Sequence, residues 1–203
     1  MSQLVTKTEL KAVLGIPAND LVDDVRLEMA CDAATQQVQA ECNRQFVYDA
    51  AASPRIFVAD SALCCPVDDF GTATGLVVRT DTDNDGVFET VWLSTDFQLE
   101  PLNGRNQGQP WPFNTLRAIE ARYWPRWRGQ ALVQVTARWG WATVPNPVKQ
   151  AAQIQALSIF KSVDAPLGVA GFGDIGVIRL RQAMHPVASS LLVQFRRDLV
   201  LVA

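Results

Sequence analysis

The stretch VQVTARWGWATVPNPVKQAA, residues 133–152, marks where one kind of structure gives way to another. Its first half is rich in β-branched and aromatic residues and reads as a strand running to Trp141. Gly140, between Trp139 and Trp141, offers a backbone bend with no Cβ, so the strand can end with both rings packed inward. Pro145 stops the strand. Asn146 is placed to cap, and Pro147 to open, the helix PVKQAAQIQALSIFKSV, since proline lacks an N–H that a first helical turn would leave unbonded anyway.

Upstream of this junction lies a series of short segments of the same type: RIFVA (55–59), LCCPV (63–67), GLVVRT (75–80), VFETVWL (87–93), DFQLEP (96–101) and LRAIEARYW (116–124). Turn residues separate them, and a Gly/Pro/Asn loop, NGRNQGQPWPFN (103–114), precedes the last. Earlier still the pattern is helical. Thr6 and Glu9 make a capping box ahead of TELKAVL, which Gly15 and Pro17 stop. A longer helix is expected from Asn19 or Asp20 to about Asn43. Val22, Val25, Met29, Ala30, Ala33, Ala34 and Val38 would be its buried stripe, and Asp20, Asp23 and Asp24 would favour its N-terminal dipole. Downstream, a glycine-rich stretch (166–177) and VIRLRQAM (177–184), whose type the pattern leaves open, lead to a last helix expected from Pro186 to Ala203. The fold class is α+β. Residues 1–49 and 145–203 form a helical body, and residues 50–144 form an inserted, mostly antiparallel β module.

Composition bounds the function. The chain has 203 residues, 48% hydrophobic, with six Trp, as an ordinary folded protein does. No apolar run approaches the ~18 residues of a membrane span. The start, MSQLVTKTEL, lacks the basic region and apolar block of a secretory signal, so synthesis and residence in the cytoplasm are expected. Cys31 and Cys42 stand eleven apart, Cys64 and Cys65 are adjacent, and His185 is the single histidine. No zinc spacing results, and buried, idle thiols are expected. Residues 1–100 carry 6 Lys+Arg against 17 Asp+Glu, a net −11; residues 101–203 carry 12 against 4, a net +8. Such a division either gives the protein two surfaces of opposite sign or mixes when the ends fold together.

Three constellations bear on chemistry. Asp81, Asp83, Asp85 and Gly86 occupy positions 1, 3, 5 and 6 of an EF-hand loop, but their flanks alternate like strands and position 12 is Trp92. The stretch reads as a hairpin turn, with a strand-flanked calcium site using Asp81, Asp83, Asp85 and Glu89 as the alternative. Gly171, Gly173 and Gly176 match G-x-G-x-x-G literally, yet a helix precedes them and no room for a dinucleotide domain follows. No nucleophile, base or phosphate-loop motif is present, so no enzymatic activity, cofactor or resident metal is expected. The segment ARYWPRWRGQ interleaves Tyr123, Trp124 and Trp127 with Arg122, Arg126 and Arg128. These residue types suit a protein–protein hot spot, packing at a strand end, or stacking on nucleic acid. Trp124, Arg126, Trp127 and Arg128 are the interface candidates.

The opening junction resembles, in Arg138-Trp139-Gly140-Trp141, Val144-Pro145 and the helix entering with Ala151 and Ala152, the head–tail connector (adaptor) proteins of tailed phages. TELKAVLGI with the acidic helix ending near Asn43-Arg44-Gln45-Phe46, FQLEPLN (97–103) and HPVASSLLVQFRR (185–197) match other parts of that family in order. The resemblance implies a non-enzymatic assembly part, a homo-oligomeric ring of about twelve copies. It would join the portal protein to the next tail-side protein at the head–tail junction of the virion and leave a channel through which DNA passes without sequence-specific binding. It further implies that the C-terminal segment meets the portal, with Pro186, Phe195, Arg196, Arg197 and Leu199 as portal-facing candidates. A calcium-dependent β binding module and a nucleic-acid-binding protein are the alternatives.

Overall fold

The structure, a computed structural model, describes residues 3–162 and 184–197. It divides into two compact units, residues 1–44 with 144–203 and residues 45–143. Helices make up the first and antiparallel sheets the second, so the fold is α+β.

The helical unit contains α1 (Lys7–Leu14), α2 (Asp24–Cys42), α3 (Asn146–Ser162) and α4 (Pro186–Leu192). Thr6 caps α1, its Oγ1 accepting from the Glu9 N–H at 3.3 Å while Glu9 Oε2 accepts from the Thr6 N–H at 2.7 Å. Gly15 ends the helix in the left-handed region at φ 70°. The longer helix α2 starts later than its pattern suggests, because Asp20 is used by an earlier turn in which its Oδ1 accepts from the Val22 N–H.

The buried face of α2 also differs from the expected one. Leu27, Ala30, Cys31, Ala34, Val38 and Cys42 are its buried apolar residues, whereas Val22, Val25 and Met29 are 88%, 72% and 67% exposed. Val25 and Met29 lie two residues either side of Leu27, which places them about 160° around the helix from it. Two apolar stripes therefore run along one helix, and the one carrying Leu27 and the small residues packs against α3. Gln155 joins the elements: its Nε2 donates to Gln37 Oε1 at 2.6 Å and its Oε1 accepts from the His185 N–H at 2.8 Å.

Pro186 does open α4, with His185 Nδ1 accepting from the Val187 N–H, but the helix ends at Leu192 instead of running to Ala203. A single 3₁₀ turn, Val193–Phe195, follows, and Arg196 is extended. This turn brings Phe195 into the core, where a continued helix would have kept its axis. The glycine-rich stretch with Gly171, Gly173 and Gly176, the segment VIRLRQAM up to Ala183, and Leu199 lie outside the described residues.

The β unit has two larger sheets and a two-stranded one. One orders β1 (Ser53–Phe57), β9 (Val133–Ala137), β3 (Val77–Thr80) and β4 (Thr90–Trp92); the other orders β2 (Cys64–Phe70), β8 (Phe113–Ala118) and β5 (Phe97–Glu100). Every strand pair is antiparallel, and a single parallel bridge joins Phe70 to Gly140. The loop at 103–114 holds a small hairpin of its own, β6 (Arg105–Asn106) with β7 (Gln109–Pro110), turning through Gln107 and Gly108 at positive φ. Strand β8 starts at Phe113 and ends at Ala118, earlier than LRAIEARYW suggests, because Glu120 and Ala121 take left-handed backbone. The core comprises Cys65, Val67, Phe70, Val78, Leu116, Val133, Val135 and Trp139 among others, with Val133, Val135 and Ala137 alternating inward along β9.

At the junction, Gly140 has φ 96°, and a Cβ there would stand 2.1 Å from the Val47 carbonyl oxygen. Its N–H donates to the Asp69 carbonyl at 2.7 Å, and Trp141 Nε1 donates to the Asp69 carboxylate at 2.9 Å. Trp139 Nε1 donates to the Ser53 carbonyl, and Arg55 lies over its ring at 4.6 Å. Residues 45–49, grouped by sequence pattern with the first helices, pair here instead: the Asp49 N–H donates to the Trp139 carbonyl and the Trp141 N–H to the Phe46 carbonyl.

Folding mixes the charge division. Residues 1–44 and 144–203 carry 10 Lys+Arg and 10 Asp+Glu, net 0; residues 45–143 carry 8 against 11, net −3. The four cysteines are unpaired. Burial pushes the Cys31 and Cys42 thiols up to about 11 and the Cys65 thiol up to about 12, while Cys64 is half-buried.

Candidate functional site

The arginine–tryptophan loop, residues 119–132, joins β8 to β9. Its backbone passes through left-handed conformations at Glu120, Ala121, Arg128 and Gly129. Trp124 is 2% exposed and holds the loop down: its ring stacks on Trp92 with centroids 3.9 Å apart and planes 12° from parallel. Its indole N–H donates to the Leu63 carbonyl at 3.2 Å and its backbone N–H to the Ala62 carbonyl at 2.8 Å. Arg122 closes the stack, lying 5.9 Å over Trp92 and 3.4 Å from Asp96. Trp124 therefore offers no surface to a partner and acts as the anchor.

The loop's outer half faces solvent. Tyr123 is 64% and Trp127 56% exposed, and Arg126 and Arg128 are exposed too. Among the described residues neither Arg126 nor Arg128 has an ion-pair partner. Two positive charges beside two solvated rings leave donors, charge and apolar area open together, the composition of an interface centre.

The C-terminal candidates are used mostly within the helical unit. Pro186 is exposed at the start of α4, and Phe195 is 4% exposed with its carbonyl accepting from Arg44 Nε at 2.7 Å. Arg196 pairs with Glu41 and donates to Ser189 Oγ at 2.8 Å. The Arg197 N–H donates to the Cys42 carbonyl at 2.9 Å, and its own carbonyl accepts from Asn43 Nδ2 at 3.1 Å. These bonds close the chain onto the end of α2.

The acidic turn between β3 and β4 carries Asp81, Asp83, Asp85 and Glu89, each with a carboxylate oxygen within 4.8 Å of the others. Asp81 is 2% exposed, and its two oxygens accept from the Asn84 N–H at 2.6 Å and the Gly86 N–H at 2.9 Å. Asp85 accepts from the Val87 N–H at 2.8 Å, and Asn84 and Gly86 have φ of 63° and 92°. The Glu89 backbone N–H and the Thr82 hydroxyl bond its carboxylate and hold it below the ordinary carboxylate range. Side chain to backbone bonds thus account for Asp81 and Asp85 at a turn of this shape.

One surface was not read from the sequence. Leu21 (69%) and Val22 just before α2, and Val25 and Met29 one turn apart on it, are exposed apolar residues. Asp20, Asp23, Asp24, Glu28 and Asp32 lie along the same segment against one Arg26. Lys7 and Lys11 pair with Asp24, and Lys7 with Glu28, on the side toward α1. Among the described residues no helix is long and apolar enough to cross a membrane.

No family model and no curated protein matches the chain. Its fold is similar to that of a chain in the neck of an empty GTA particle computed with C6 symmetry, with a TM-score of 0.59 and 12% identity over 98% of this chain and 93% of that one.

Proposed function

We propose that the protein is a structural connector in the neck of a phage or phage-like particle. It forms a ring between the portal and the next tail-side protein, surrounds the DNA channel, and acts through contacts without chemistry. The observation that carries this reading is the similarity to a neck chain, which extends over both the helical and the β portions. The residues of the junction and of the terminal helices, which resemble the connector family, support the same reading independently of overall shape. Six-fold symmetry in that neck is compatible with a ring of about twelve copies, twelve being a multiple of six.

In this reading the helical unit builds the ring, and the segment following Phe195, toward Leu199 and Ala203, reaches the portal. Phe195 and the Arg197 backbone tether that segment to the end of α2, while Arg196 stands beside Glu41 at the surface. The protein would be made in the host cytoplasm and reside in the virion at the head–tail junction. The test is electron microscopy of the full chain mixed with the portal protein of the same particle. A ring capping one end of the portal is expected, lost when residues 196–203 are deleted. A chain that leaves the portal bare overturns the reading.

A further inference from the structure

Two exposed apolar surfaces of opposite charge stand out among the described residues. On the loop, Trp127 and Tyr123 are flanked by Arg126 and Arg128, which have no ion-pair partner there. At the start of α2, Val22 just before the helix and Val25 and Met29 on it are exposed to 67% or more, alongside Glu28 (57% side-chain exposure, 3.7 Å from Lys7) and the other acids of residues 20–32. Each surface alone would carry an unexplained apolar cost, and their charges are complementary.

We infer that the arginine–tryptophan loop of one copy docks on the exposed strip of α2 in the next copy. This rests on the connector reading, since a closed ring requires each copy to offer two different surfaces, and a surface meeting only its own kind stops at a dimer. The chemistry of the pair fits. Met29 can adapt to an indole and gain a sulfur–aromatic contact, while Val25 one turn before it, with Val22, supplies exposed apolar area. Glu28 and Asp32 stand one and two turns along the helix from Val25, within the span of two arginine side chains. Charge at the rim would set register and speed of encounter, and the buried rings would set lifetime.

The experiment uses two full-length variants and mass photometry. Arg126→Glu with Arg128→Glu disables the loop; Val25→Asp with Met29→Asp disables the strip. All four positions are solvent-facing, and unchanged melting checks that both variants fold. The wild type is expected to assemble, and each variant alone to lose association at least tenfold. Mixed together, the variants are expected to form a one-to-one dimer and nothing larger, because one intact loop and one intact strip remain between them. Variants that assemble like the wild type, a mixture that stays monomeric, or a wild type that never associates would overturn the inference. So would salt-sensitive DNA retention lost in the loop variant while association is unchanged, which assigns the loop to nucleic acid. Portal capping by the same variants reports on the connector reading separately: a chain that caps the portal but assembles without the loop keeps that reading and sinks this one.

Discussion

Two segments of nearly the same composition are put to opposite uses. Arg138-Trp139-Gly140-Trp141 turns both of its rings inward, Trp139 being fully buried and Trp141 3% exposed. Tyr123-Trp124-Pro125-Arg126-Trp127-Arg128 buries one ring and presents two. Hydrophobicity does not separate them. The difference is in the backbone and its acceptors. At the first, Gly140 approaches residues 47 and 48 closely, and Asp69 meets both the Gly140 N–H and the Trp141 indole. At the second, the carbonyls of Ala62 and Leu63 accept from Trp124, the Leu63 carbonyl serving the Ala118 N–H as well, and no such acceptor reaches Trp127 among the described residues. A buried indole needs a partner for its N–H, and the supply of acceptors decides which tryptophan goes in.

This contrast can be broken at its strongest point first. Gly140→Ala puts a methyl group against the Val47 carbonyl and forces positive φ on a residue with a Cβ. A loss of about 4 kcal/mol is expected in urea denaturation, enough to unfold a marginal β unit. Trp124→Ala should cost about 3 kcal/mol by removing a buried ring, and combined with Trp92→Ala should show a coupling of about 1 kcal/mol from the stack. Trp141→Phe keeps an aromatic ring but removes the donor to Asp69 and part of the buried indole, for about 2 kcal/mol. Asp81→Ala frees two backbone N–H groups at the acidic turn and should cost about 1 kcal/mol, with no change in the rest of the sheet by hydrogen exchange. Trp127→Ala should leave stability within about 0.5 kcal/mol of the wild type. A large loss there would mean that the second segment is built like the first.

Much of the architecture is legible before folding. The capping box at Thr6 and Glu9 acts locally, so its sequence signature and its structure coincide; α3 begins at Asn146, one residue before the proline expected to open it, and the strand expected to reach Trp141 ends at Ala137. The antiparallel sheets follow from short β-branched segments with turns between them. What escaped depends on distant partners. Along α2 the spacing supports two stripes, and only the packing of α3 selects the one with Leu27. The end of α4 at Leu192 depends on Phe195 reaching the core, and the hairpin at 105–110 depends on glycine and glutamine taking positive φ between very short strands. Of the candidate surface, composition identified the loop but could not show that Trp124 points inward. Val22, Val25 and Met29 fit a core stripe by spacing and yet face solvent, because exposure is a tertiary property.

The left-handed backbone at Glu120, Ala121 and Arg128 has a kinetic consequence. These are not glycines, and each such residue costs about 1 kcal/mol or more when the loop is formed. That expense, together with the loss of loop freedom, falls in the folding step, where the Trp92–Trp124 stack offsets it. A partner meeting the loop then has little left to order. Encounter should be limited by diffusion and charge, not by conformational search, and slow dissociation should follow from the rings alone.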